Sequence, residues 1–408
     1  MTTQELLAAD NVIDRLYMKY RQQYEPFELL QVIADDLNTI FTAHNYDREF
    51  VKARIIKILG YQETLQKLIQ MPKVEQRSTE WYEMRQTRIT ASDFAQALGE
   101  GKFGTQRDFY KKKCGYEKDT FDNNATPLKW GIKYEPVAIE AYAHKNKVKM
   151  IEFGLLPHPN ISWFGASPDS ITELGVMVEI KCPWKRKITG EVPKQYYYQM
   201  QGQLDVCSLE ECDFLECEFL EYYDENEFKN HFWDNTNEKG IIIEYIQQGD
   251  THYVYSPFKH HRNLDMTMKW KTQALDALQK EADKSLSKIY YWQLITFSVV
   301  RVYRDKSFLE VKMPQLKEVW DKIIQYKKNK ELYDADMNAP KPLKNPVCQE
   351  INIDMFDAPP LSETSTSVSF HLDTKLQQQG SQSFNKVRLG GDIKMTGYAF
   401  LSDSDTEN

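Results

Sequence analysis

The sequence lacks most of what would mark a secreted, membrane-spanning or disulfide-built protein. Apolar runs such as Ile289–Trp292 stop far short of the ~20 residues that a membrane span needs. No basic-then-apolar leader opens the chain, because Glu5 and Asp10 already fall in its first stretch. Six cysteines in 408 residues, none in a CxxC pair, argue against a disulfide scaffold and against a zinc module. No glycine-rich loop cradles a phosphate, so ATP is not implied, and spacing supports no serine, cysteine or histidine triad. These absences predict a reduced, intracellular protein with no membrane partner. The net charge of −8 counts only weakly against nucleic acid, because the charge is uneven and bound metal ions would change it locally.

What is present divides into three segments. Residues 1–74 read as a helical extension: Leu29, Val32, Ile33, Leu37 and Ile40 recur at steps of three and four, and a second helix is expected over Arg48 to Gln70. Residues 335–408 form a low-complexity tail, with prolines clustered from Pro340 and then Ser362-Glu-Thr-Ser-Thr-Ser and Gln377-Gln-Gln-Gly-Ser-Gln. Such composition buries too little apolar surface to offset chain entropy, so most of the tail is expected to be disordered. Val387 to Ile393 and Tyr398 to Leu401 stand out in it as candidate docking segments. Residues 75–334 alternate helix and strand. Helices are expected from Ser78, from Ser92, over Leu128 to His144, Tyr196 to Cys207, Asn263 to Leu286 and Gln315 to Leu332. Strands are expected over Met150 to Leu155, Phe164 to Ser167, Val176 to Ile180, Phe214 to Tyr222 and Leu294 to Tyr303. The fold class is therefore α/β, a mixed central sheet flanked by helices.

The chemistry gathers in Gly165-Ala-Ser-Pro-Asp169 and, ten residues on, Glu179-Ile-Lys181. Side chains alternate along a strand, so Val176, Val178 and Ile180 share one face and Glu179 and Lys181 the other. Asp169 lies just before that strand, with Gly175 at the bend, and the two acids can converge. Paired carboxylates are hard oxygen donors suited to Mg²⁺ or Mn²⁺. A lysine beside them can hold a water or offset charge on a phosphate. The alternative is a charged solvent face of an ordinary strand. Glu135, on the long helix upstream, offers a third carboxylate for two ions ~3.5–4 Å apart. Gln199 and Gln203 stand at i and i+4 on one helix face.

Five ordered blocks carry a resemblance. They are Trp81-Tyr-Glu-Met-Arg-Gln-Thr-Arg-Ile-Thr-Ala-Ser92, Trp130-Gly-Ile-Lys-Tyr-Glu-Pro136, Ser167-Pro-Asp169, Glu179-Ile-Lys-Cys-Pro183 and Tyr196-Tyr-Tyr-Gln-Met-Gln201. In order and spacing, over about Ser78 to Phe219, the chain resembles the phage lambda exonuclease and YqaJ-type viral recombinase family of PD-(D/E)xK nucleases. The resemblance implies a restriction-endonuclease-like core. It implies Asp169, Glu179 and the backbone carbonyl of Ile180 as metal ligands, Glu135 as ligand to a second ion, Lys181 orienting the nucleophilic water and Gln199 completing the site. It also implies Arg85, Ser92 and Ser167 as the grip on a terminal 5′ phosphate. The expected activity is Mg²⁺-dependent resection of double-stranded DNA ends from the 5′ terminus, for viral recombination, repair or annealing. A single-strand annealing protein and further copies of the chain are the candidate partners, and the host cytoplasm or nucleus the place if the source is viral. A structure-selective or single-strand endonuclease and a non-catalytic DNA-binding or virion protein are the alternatives.

Other features take plainer readings. Lys102, Arg107, Lys111, Lys112, Lys113 and Lys118, and then Lys181, Lys185, Arg186, Lys187 and Lys194, are expected to be basic loops that track phosphates. Cys207, Cys212 and Cys217 are expected in the core, since an iron–sulfur cluster needs a fourth thiolate. Cys182 is read as a small packing residue, Trp81 as core packing in preference to a place under Arg85 or near a terminal base, and His260-His261 as surface.

Overall fold

Three helices open the chain, α1 (Thr3–Tyr20), α2 (Pro26–Ile40) and α3 (Arg48–Ile69). The computed structural model describes residues 3–339 except 103, 117–124 and 234–236. The tail beyond 339, with its candidate docking segments, and Lys118 lie outside the described residues. Next come α4 (Thr79–Gln86), β1 (Ile89–Thr90), a 3-10 turn at Ala91–Asp93, α5 (Phe94–Ala97), α6 (Gln106–Cys114) and α7 (Thr126–Asn146). Four short strands follow, β2 (Met150–Ile151), β3 (Leu156–Pro157), β4 (Phe164–Ala166) and β5 (Ser170–Thr172). Then come β6 (Met177–Lys181), α8 (Lys194–Cys207), β7 (Glu211–Tyr222), α9 (Glu225–His231), β8 (Lys239–Gln247) and β9 (Asp250–Tyr255). The described chain closes with α10 (Leu264–Gln279), β10 (Lys284–Tyr303), α11 (Lys306–Lys328) and α12 (Lys330–Asn338).

The main sheet has seven strands in the order β2-β5-β6-β7-β10-β8-β9, and a small sheet has the order β1-β4-β3. In the main sheet β6 runs parallel to β7 and every other neighbouring pair is antiparallel. The sheet is therefore mixed, as the sequence predicts. Side-chain alternation sends Met177, Cys212 and Phe214 to one core, with α5, α6, α8 and α11. It sends Val178, Ile180, Leu215, Cys217 and Phe219 to the other, with α1, α2, α3 and α7. The N-terminal helices are thus one wall of the protein rather than an appendage on it. A third cluster, with Phe228, Ile241, Ile243 and Trp270, holds α9, α10 and the far end of the sheet together.

Several sequence expectations change here. Helix α10 stops at Gln279, and Ser285 and Leu286, expected in that helix, pair in β10 with Ile246 and Tyr245. The hairpin β8–β9 was not anticipated. It turns at Gln248 and Gly249, both with positive φ (53° and 91°), the backbone that a tight two-residue hairpin requires. His260 and His261, expected at the surface, are buried. The His261 ring meets Trp292 edge-on at 4.8 Å, and Ser256 lies within hydrogen-bond reach of its Nε2. The three spaced cysteines are buried, as expected.

Candidate active site

Asp169 does not lie on the turn before β6. It stands at the head of β5, which runs back antiparallel to β6 through the turn at Gly175. That glycine has φ +79°, and a Cβ on it would strike Tyr61 at 2.4 Å. The hairpin brings Asp169 beside β6, where its Oδ2 accepts the Ile180 N–H at 2.7 Å.

Glu179 is fully buried (0% exposed), so this side of β6 is not a solvent face. Its carboxylate is enclosed by hydrogen bonds. Gln199 Nε2 donates to Oε1 and Gln203 Nε2 to Oε2, each at 2.7 Å, and the Lys181 ammonium pairs with Oε1. Both glutamines come from α8, one turn apart, as their spacing predicts. The helix approaches closely because Gly202 faces Phe164, Ala91 and Phe94, which a Cβ would meet at 3.0–3.1 Å. The family resemblance implies Gln199 alone, yet Gln203 bonds the same carboxylate. The Gln203 Oε1 is buried and has no hydrogen-bond partner among the described residues.

The charges are unbalanced. Burial raises the carboxyl of Asp169 well above its usual range, Glu179 and Glu135 add to the rise, and Lys181 opposes it. Glu135, from α7, is also raised, by burial against the pull of Arg77 and Lys181. Burial alone would lower the Lys181 ammonium, but Glu179 and Asp169 outweigh it and hold the lysine firmly charged. Three carboxylates thus share one central lysine, and Arg77 bears on Glu135 from outside. The carboxylate oxygens, with the Ile180 carbonyl, fit in kind the hard oxygen donors that Mg²⁺ or Mn²⁺ takes. Among the described residues no three acidic, histidine or cysteine groups are drawn together as a closed cage. Glu179 is closed instead by Lys181 and the two amides.

A second cluster adjoins the first. Arg85 Nη2 donates to Ser92 Oγ at 3.1 Å, and its guanidinium lies 4.4 Å over the Trp81 ring. Trp81 Nε1 donates to Ser167 Oγ at 3.0 Å. Ser167 is thereby linked through one indole to Arg85 and Ser92, which stand about eighty residues earlier in the sequence. Trp81 is only partly buried and lies beneath Arg85, which corrects its reading as core packing; its ring N–H needs a partner, and Ser167 supplies one. Ser92 does not cap a helix. Thr90 and Asp93 form the capping box of that turn, and the Ser92 hydroxyl is left to meet Arg85. Ser167 also joins the two clusters, since its carbonyl accepts from Gln203 Nε2 at 3.4 Å. Of the basic residues expected on loops, Lys185 and Lys187 are exposed beyond β6, whereas Lys113 is buried in α6.

Residues 80–210 match the YqaJ-like viral recombinase domain. That span contains all of Arg85, Ser92, Glu135, Ser167, Asp169, Glu179, Lys181 and Gln199, and it is the segment in which the motif blocks lie. The family resemblance of the sequence is thus upheld for this segment. The chain is 25% identical over 354 residues to an uncharacterized protein of Acanthamoeba polyphaga mimivirus, covering 77% of this chain and 63% of that relative. It therefore spans less than two thirds of the relative's length. Among solved structures it is similar to the alkaline exonuclease LHK-Exo of Laribacter hongkongensis, at 17% identity. That match covers 64% of this chain and all of the other, with a TM-score of 0.39. A phage related exonuclease from Haemophilus somnus is 12% identical, covering 62% of this chain and 96% of the other, with a TM-score of 0.32. No helix among the described residues is long and apolar enough to cross a membrane.

Proposed function

We propose that this protein is a metal-dependent deoxyribonuclease that resects double-stranded DNA ends from 5′ to 3′. The observation that supports the reading is the bonded network of Glu179, Lys181, Gln199 and Gln203, with Asp169 bonded to the same strand and Glu135 within its electrostatic reach, inside the span that matches the recombinase domain. Asp169, Glu179 and the Ile180 carbonyl, with Glu135 for a second ion, would hold Mg²⁺ or Mn²⁺, which when bound supplies Lewis acidity for phosphodiester hydrolysis. Lys181 orients the attacking water and offsets charge developing on the phosphate. Gln199 and Gln203 hold the Glu179 carboxylate in one orientation without adding charge. Arg85 offers a planar fork of donors, and with the hydroxyls of Ser92 and Ser167 it suits a terminal phosphate. The exposed Lys185 and Lys187 beyond β6 add salt-dependent attraction for the DNA backbone. The 3′ strand left behind would serve recombination or annealing, and an annealing protein would be the natural partner.

A time course in Mg²⁺ on linear and closed circular duplex, with 5′-phosphate or 5′-hydroxyl ends, tests this. Linear duplex should be degraded from its 5′ ends, phosphorylated ends faster. Cutting of closed circles would make the protein an endonuclease. Arg85→Ala should slow phosphorylated ends by about 10- to 150-fold, the worth of hydrogen bonds to a charged group, and leave hydroxyl ends nearly unchanged.

A further inference from the structure

Lys113 lies in the last turn of α6, in the run Lys111-Lys112-Lys113, yet only 2% of it is exposed. Burying an ammonium costs several kcal/mol unless its donors are filled. Here all three are. Nζ donates to the carbonyls of Arg85 at 2.8 Å and Arg88 at 2.7 Å, and pairs with Asp93 Oδ2 at 2.8 Å. The first carbonyl belongs to the last turn of α4 and the second lies just beyond it, where backbone oxygens have lost their helical partners and a cation is favoured. The carboxylate belongs to the turn that carries Ser92. Asp93 Oδ2 also accepts the Thr90 N–H at 3.2 Å and the Thr90 hydroxyl at 2.8 Å, which closes that turn. One ammonium therefore joins the segment that bears Arg85 to the segment that bears Ser92.

Anchoring α6 does not require this. Phe109 and Tyr110 already fix the helix in the apolar core, and an apolar side chain in place of a buried ion pair is often neutral or stabilising. What an apolar side chain cannot do is hold two carbonyls and a carboxylate at one spacing. Lys113 carries no free donor for DNA, so it acts through Arg85 and Ser92.

We propose that Lys113 is a positioning residue of the end-binding pocket, setting Arg85 and Ser92 at the separation that receives a terminal phosphate. The proposal rests on the reading of that pocket as a 5′-phosphate grip. Its test is the ratio of degradation rates on 5′-phosphorylated and 5′-hydroxyl duplex in Mg²⁺, measured on the full chain. Lys113→Met should lower that ratio by about tenfold, through a higher KM for phosphorylated ends, with the hydroxyl-end rate within about twofold of wild type. Asp93→Asn keeps the shape of the turn and removes the ion pair. It should lower the ratio by about threefold, and it serves alone if Lys113→Met does not fold. A wild type that prefers phosphorylated ends, with variants that keep the preference or slow both ends equally, overturns this proposal and leaves the grip standing. A wild type indifferent to the phosphate overturns the grip and the proposal together.

Discussion

Two buried charge clusters lie on opposite faces of the same sheet, and they are built to opposite rules. On the face of α1 and α3, Arg54 bonds Asp14 at 2.7 and 2.8 Å and Glu211 at 2.5 Å. Arg301 bonds Glu211 and Asp213 at 2.6 Å. Tyr61 and Tyr142 donate to Glu211 and Asp213. Burial alone would raise Glu211, but the two arginines overcome it and bring the carboxyl down to about 2. On the face of α8, Asp169 goes the other way, raised by burial that Lys181 does not offset, and Glu135 from α7 is raised as well, against the pull of Arg77 and Lys181. Arginines that bond each carboxylate directly make a structural tie between the N-terminal helices and the sheet. At the candidate site burial outweighs the cations, and Asp169 and Glu135 resist ionisation.

Replacing a site acid separates the two clusters most sharply. Asp169→Asn should cut hydrolysis on the order of 10³-fold or more. Thermal stability should stay level or rise, because a carboxylate that resists ionisation in the fold has been removed. Retained activity in a folded Asp169→Asn protein would end the assignment of this centre.

The opposite outcome is expected at the tie. Arg54→Met leaves Asp14 and Glu211 buried beside a missing partner and should cost about 3–5 kcal/mol, read by denaturant unfolding at neutral pH. The rate per folded molecule should stay within about threefold. A marginal loss of stability would mean that the tie is less closed than its distances show.

Acid sharpens the comparison further. Glu211 has its pKa depressed in the fold, from 4.5 to about 2, so its contribution is complete above pH ~4.5 and is lost as pH falls towards 2. That amounts to roughly 3 kcal/mol over the window. Asp169, raised in the fold, has the reverse sign: its contribution is present at low pH and is lost as pH rises. Unfolding followed against pH in Glu211→Gln should lack part of the acid limb, and in Asp169→Asn the limb should steepen.

The smallest effect concerns the tail. Removing residues 340–408 should leave hydrolysis of naked DNA unchanged within about twofold, since every candidate group lies between Arg85 and Gln203. Loss of activity in a folded, truncated chain would show that the tail helps to build the site.

The centre was legible because its chemistry is local. Asp169, Glu179 and Lys181 fall within thirteen residues, and strand alternation alone puts two of them on one side. Gln203 was half legible: its face followed from helix spacing, but its bond to Glu179 depends on how near Gly202 lets α8 come. The tie was not legible, because Arg54 meets Glu211 from 157 positions away and nothing near either residue announces the other. The same holds for Lys113, whose run of three lysines reads as a loop that tracks phosphates until the carbonyls of Arg85 and Arg88 are seen above it. The hairpin β8–β9 was missed for another reason: its turn is Gln-Gly, a weaker signal than Asn-Gly.

The strand order also has a consequence for synthesis of the chain. Strand β10 lies between β7 and β8, pairing with β8 over Lys284–Gln293 and with β7 over Tyr291–Tyr303. Until Tyr303 has left the ribosome, β7 and β8 each present an open hydrogen-bonding edge, and Arg301 has not reached Glu211 and Asp213. Domains fold as units during translation, and unpaired strands attract other chains while they wait. Slow elongation between residues 222 and 303 would therefore extend the time in which nascent chains can pair with one another. A chain cut before β10 would keep every residue of the candidate site and still have no closed sheet to hold it.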